Sequence, residues 1–142
     1  MKYCALLTIV GKQNYVNQEE ETITLTTEGV VEQSANGDWT ISYQESEITG
    51  LAGVTTSFEI KENEITLSRN GPLKSLMVFR EGSRHESLYQ MEFGALMISV
   101  CATKVAYQLD DSGGTLDLIY LIDIEQETMG TVTYHLDVKA VR

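Results

Sequence analysis

The sequence has a single proline, Pro72, and only two cysteines and two histidines among its 142 residues. One proline with eleven glycines excludes a collagen-like or low-complexity chain. Cys4 and Cys101 are too sparse for a disulfide framework, and both sit in apolar, strand-like runs. They are expected to be buried free thiols in a reducing cytoplasm. With histidines at 85 and 135, they also lack the close ligand spacing of a structural zinc site, and no cofactor is called for.

Basic residues are scarce: ten Lys and Arg stand against 21 Asp and Glu, a net charge of −11. Such a surface repels phosphate backbones and anionic lipid, so nucleic-acid and membrane-surface binding are not expected. From Gln13 to Ile60 there are nine acids and no Lys or Arg, whereas Lys61 to Arg84 holds five of the ten basic residues. A solvated acidic face beside a mixed one explains this split, and a self-complementary association surface is the competing reading. Neither sets the oligomeric state.

Long hydrophobic runs are also missing. The apolar run after Lys2 stops after about eight residues, alternates with β-formers and is followed by Gly11-Lys12-Gln13-Asn14 without a small-residue cleavage site. It therefore reads as a first strand rather than a signal peptide, and no stretch approaches the length of a membrane span.

A sustained helical period is absent, and only Val16 to Glu20 has room for a polar turn or short helix. What is there is strand. The pattern predicts strands over Tyr3–Val10, Glu21–Glu32, Trp39–Glu47, Val54–Lys61, Glu64–Arg69, Ser75–Arg80, Arg84–Met91, Ala95–Leu109 (bent or divided), Thr115–Glu125 and Gly130–Val138. Short turn sequences such as Asn36-Gly37 and Asn70-Gly71-Pro72 separate them, and Asn-Gly supplies the positive φ of a tight hairpin turn. Connections this short cannot make parallel crossovers, so successive strands pair antiparallel. The expected architecture is one all-β domain over residues 1–142: an up-and-down antiparallel barrel of about eight to ten strands, which removes exposed edges. Such a barrel is either filled by side chains or holds one small ligand.

Alternate residues of a strand point the same way, and charge breaks into several apolar rows here. Trp39, Ile41 and Tyr43 share a face with Glu45 and Glu47; Ile65 and Leu67 share one with Arg69; His85 is in step with Ser87 and Tyr89. Carboxylates entering a barrel need cations or donors, and Arg69 is the nearest candidate partner for Glu45 or Glu47. The candidate ligand-binding set is therefore Tyr43, Glu45, Glu47, Arg69, His85 and Tyr89. No catalytic residue is assigned: Ser87 lies two residues from His85 on one strand, with no nucleophile elbow or oxyanion hole. Two carboxylates adjacent on one strand do not straddle a glycosidic bond. Gly50-Leu51-Ala52-Gly53 lacks phosphate-loop spacing and reads as a rim loop. His135 falls opposite Tyr134, Leu136 and Val138, at the surface or rim, and Asp110, Asp111 and Asp117 read as solvated turn carboxylates.

The stretch Tyr43 to Thr56, then Leu67-Ser68-Arg69-Asn70-Gly71, then Met77 to Tyr89 and Phe93-Gly94 resembles the YwiB-like family of small bacterial proteins. That resemblance covers most of the chain. It implies a calycin-like, lipocalin-like β-barrel and brings no established activity or catalytic residues. Three functions compete: non-catalytic binding of a small molecule in the barrel, a structural or protein-interaction module with a filled barrel, and a small hydrolase or isomerase using the Glu/Arg/His cluster.

Overall fold

The computed structural model describes residues 1–46 and 51–141. Ten strands occur among the described residues: β1 (Lys2–Tyr15), β2 (Glu21–Gln33), β3 (Trp39–Gln44), β4 (Thr55–Lys61), β5 (Glu64–Asn70), β6 (Ser75–Phe79), β7 (Arg84–Met91), β8 (Gly94–Asp110), β9 (Gly113–Ile124) and β10 (Glu127–Ala140). The strand bounds follow the hydrophobic alternation to within a few residues, except where β1 and β10 run further. In that extra length Gly11, Gln13 and Tyr15 continue the inward row of β1, so the row outlasts its apolar residues. Val16 to Glu20 forms a turn and no helix.

Every neighbouring pair is antiparallel, in the order β6-β5-β4-β3-β2-β1-β10-β9-β8-β7. This meander curls until β6 and β7 meet. Lys74 and Gln90 exchange backbone hydrogen bonds of 2.8 Å in each direction. Further along, the Gly82 amide donates to the Ala102 carbonyl at 2.9 Å and the Val105 amide to the Glu81 carboxylate at 2.9 Å. The barrel is thus nearly closed, with its seam tied at both ends.

Alternation decides which side chains fill it. On β3, Trp39, Ile41 and Tyr43 are buried; on β4, Thr56, Phe58 and Ile60; on β5, Ile65 and Leu67; on β6, Ser75, Met77 and Phe79. β8 carries the bend expected for its long run as a register shift between Ala102 and Lys104. The extra residue moves the inward set from Ile98, Val100 and Ala102 to Val105 and Leu109, which pack against the core. The hairpin that follows needs glycine: at Gly114, with φ +150°, a Cβ would lie 1.8 Å from the Gln108 carbonyl oxygen.

The cysteines depart from expectation. Both lie on outward rows, Cys4 exposed between Tyr3 and the buried Ala5, and Cys101 half-buried between inward Val100 and Ala102. Each sits in an apolar run, but with the parity of the solvent side.

Core side chains are not evenly distributed along the barrel. Leu7, Val31, Ile60, Ile65, Phe79 and Leu116 are sealed from solvent in one half, each burial contributing about 1.5–3 kcal/mol. The other half is hollow.

Candidate functional site

A cavity of about 440 Å³ occupies the hollow half, within the roughly 300–1,000 Å³ usual for small-molecule sites. It is bounded by the later residues of β1, β3, β5, β7 and β9 and the earlier residues of β2, β8 and β10, which an antiparallel meander brings to one end. Ile9, Leu25, Ile98, Ile122, Ile124 and Val132 supply much of the apolar wall. Five tyrosines, Tyr15, Tyr43, Tyr89, Tyr120 and Tyr134, reach the same space, together with Gln13, Glu45 and Arg69.

The tyrosines are held by their neighbours. The Tyr43 and Tyr134 hydroxyls lie 3.0 Å apart, joining β3 to β10 across the interior. The Tyr134 ring packs on Phe58 with centroids 5.5 Å apart, and Tyr120 packs on Phe79 at 4.6 Å. Burial is the first cause that drives the ionisation of Tyr43, Tyr120 and Tyr134 upward. Tyr134 and Glu45, which both hydrogen-bond Tyr43, push that phenol up further. The Arg69 charge acts oppositely on Tyr120 and Tyr134, so the guanidinium lies within electrostatic reach of both. At neutral pH these phenols are protonated: they can donate or accept hydrogen bonds but carry no charge.

Arg69 sits in a cross-strand row of polar groups. Register places Tyr43 beside Thr56, Thr56 beside Arg69, and Arg69 beside Ser75. Continuing the Lys74–Gln90 bridge by one residue sets Ser75 opposite Tyr89 across the seam. Thr56 Oγ1, Arg69 Nε and Ser75 Oγ are buried without a hydrogen-bond partner among the described residues. Buried polar atoms are nearly always paired in folded proteins, so three on adjoining strands form a distinct feature.

Tyr43, Glu45, Arg69 and Tyr89, all singled out from sequence, line the one cavity. Glu47 lies outside the described residues. Arg69 forms no ion pair with Glu45. Of the two partners expected for Arg69, Glu45 is set apart from it because β4 stands between β3 and β5 and Glu45 lies past the end of β3, while the pairing with Glu47 falls outside the described residues. His85 belongs to the inward row of Tyr89 but pairs with Val100, about 13 Å along the strand toward the packed half. It is absent from the cavity wall among the described residues, and its Nδ1 is buried without a partner.

Sequence reasoning missed Tyr15, Tyr120 and Tyr134 as cavity residues, and Thr56 and Ser75 as neighbours of Arg69. One signal was present: Thr56 is in step with Phe58 and Ile60, and Ser75 with Met77 and Phe79, each a hydroxyl on an otherwise apolar row.

Outside the barrel, His135 lies between two carboxylates, with Nδ1 2.5 Å from Asp117 and Nε2 3.1 Å from Asp137. The hydrogen bond to Asp117 is the main cause raising its pKa above the ordinary value, against the opposing effect of burial. Among the described residues no three His, Cys, Asp or Glu side chains are grouped to hold a metal ion. No helix among them is long and apolar enough to cross a membrane.

Comparison with known proteins agrees with this architecture. The crystal structure of the ywiB protein from Bacillus subtilis superposes with a TM-score of 0.86, covering 99% of this chain and 94% of that one at 20% identity. At that identity the likeness speaks for the fold alone. No curated protein matches. The family described as Domain of unknown function (DUF1934) matches residues 7–136, which is most of the chain. With both its sequence and its barrel accounted for, the chain belongs to the DUF1934 family, as its resemblance to YwiB-like proteins implied.

Proposed function

We propose that this protein binds a small molecule, without transforming it, inside the hollow half of its barrel, and that it does so in the cytoplasm. The cavity carries the reading: about 440 Å³ of space with an apolar wall and a few polar groups at defined positions, the composition of sites that seat one small ligand and fix its orientation. A filled structural barrel would have continued the packing of Leu7, Ile65 and Leu116 into this end. Binding is favoured over catalysis by the groups on the wall. The phenols there are held protonated, and His85 lies too far along its strand to act as a base. Free thiols at Cys4 and Cys101 suit a reducing compartment. In a calycin-like barrel, the kind implied by the family resemblance, a ligand in this position would enter between the strand ends.

A thermal-shift screen against a metabolite library tests this, because a ligand that binds only the native state raises the melting temperature. Hits are expected for the wild type and are expected to vanish in Val132→Phe, which fills the cavity from β10. Hits that persist undiminished in Val132→Phe would place binding elsewhere.

A further inference from the structure

Among the described residues, Arg69 and Glu45 are the charged groups on the cavity wall, and they differ in how they are satisfied. Glu45 takes a hydrogen bond from Tyr43, and its backbone amide donates to the Val54 carbonyl at 2.8 Å. Among the described residues Arg69 has no ion-pair partner, and its Nε is buried without an acceptor there, between two hydroxyls that also have none. Arginine cannot shed its proton to escape this position, as a lysine would. A fixed positive charge at the wall of an apolar cavity is a standing demand for an acceptor.

The acceptor that satisfies a guanidinium best is planar, with two oxygens in one plane, taking two parallel N–H donors. Charge count narrows the choice. Arg69 and Glu45 already balance on this wall, so a monoanion leaves the cavity with one excess negative charge and a phosphate dianion with two, and the monoanion is the less opposed of the two. The phenols of Tyr120 and Tyr134 lie within reach of the same guanidinium field and are protonated; Tyr120 can donate to such an oxygen, while the Tyr134 proton goes to Tyr43 as Tyr43 donates to Glu45. Beyond them the wall is aliphatic, with Ile98, Ile122, Ile124 and Val132 accommodating a chain or ring and offering it no hydrogen bonds.

We propose that the ligand is an amphipathic monocarboxylate, its carboxylate held by the Arg69 guanidinium beside the Tyr120 and Tyr134 hydroxyls and its apolar body lying against the isoleucine wall. This rests on the reading that the cavity takes a small molecule and adds the class. The acidic surface of the protein does not oppose it at close range: at physiological salt its field is screened within about 8 Å, and it acts on the rate of encounter more than on the seated ligand.

Calorimetric titration with four ten-carbon probes tests the assignment: decanoate, decyl phosphate, 1-decanol and decyltrimethylammonium, against wild type, Arg69→Met, Arg69→Lys and Val132→Phe. Decanoate is expected to bind wild type at least tenfold tighter than any of the other three. Arg69→Met should reduce decanoate to the affinity of 1-decanol, with Arg69→Lys, which keeps the charge but loses the fork, falling between. Should Arg69→Met fail the circular-dichroism check for folding, the order of the four probes on wild type decides alone. Equal binding of decanoate and 1-decanol, tightest binding of decyl phosphate or the cation, or undiminished decanoate binding by folded Arg69→Met would overturn the assignment. If 1-decanol binds as tightly as decanoate and Val132→Phe abolishes both, the small-molecule reading stands and the carboxylate falls. If none of the four binds, both fall.

Discussion

Thr56 and Arg69 face each other across β4 and β5, and the Thr56 hydroxyl and the Arg69 Nε are both sealed from solvent with no partner among the described residues. Leaving a buried donor or acceptor unsatisfied costs about 1–3 kcal/mol, against a net gain of about 1 kcal/mol for a made hydrogen bond. On the proposed reading, a ligand at Arg69 would supply an acceptor that these groups do not find among the described residues.

Removing the penalty should stabilise the protein. Thr56→Val is nearly isosteric and deletes the orphaned hydroxyl, so urea denaturation should show a gain of about 1 kcal/mol. Arg69→Met should be neutral or stabilising by a similar amount. Losses of about 3–5 kcal/mol in Arg69→Met would instead indicate a broken buried ion pair.

The phenols give a spectroscopic prediction. Burial raises Tyr43, Tyr120 and Tyr134 above their ordinary value, so in the native state they bind protons that the unfolded chain releases near pH 10. Their contribution is complete below that pH and is lost progressively as pH rises from there through the higher folded values. Tyrosinate absorbance should show fewer than the seven tyrosines of the chain ionising before unfolding, and all seven in denaturant. Seven equivalent titrations in the folded protein would mean that the cavity wall is open to hydroxide.

His135 provides a second pH dependence, of modest size because the side chain is about one-third exposed. Asp117 and Asp137 raise its pKa, so the stabilisation is fully present below the unfolded value near 6.5 and fades as pH rises through the higher folded value. The melting temperature should fall over that window in wild type at low salt, and less so in His135→Asn. A pH profile unchanged by the substitution would show that the two carboxylates do not hold the charged imidazole.

Backbone geometry sets another expectation. Gly114→Ala places a methyl group against the Gln108 carbonyl at a positive φ, so the β8–β9 hairpin must shift and stability should drop by more than about 1 kcal/mol. An alanine tolerated at wild-type stability would contradict the hairpin register.

Much of this fold was legible because strands announce themselves locally. The alternation Trp39-Ile41-Tyr43-Glu45 names the inward row of β3, and short turns force antiparallel neighbours. The position of Arg69 relative to other strands was not legible. That Thr56 and Ser75, rather than Glu45, flank it depends on two cross-strand registers, and a shift of one residue in either would turn the hydroxyls away. The cavity tyrosines were hidden for a related reason. Tyr120 and Tyr134 look like ordinary core residues on β9 and β10, and only barrel closure brings them to the end that holds Arg69. How far side chains fill a barrel depends on all ten strands at once.

The most direct test of a ligand cavity in this half of the barrel is the amide spectrum of ¹⁵N-labelled wild type during titration with decanoate. The predicted result is a saturable set of shifts centred on Arg69, Tyr120, Val132 and Tyr134, with outward Thr66 and Leu88 unmoved. No saturable shifts, or shifts confined to outward-facing residues, would contradict it.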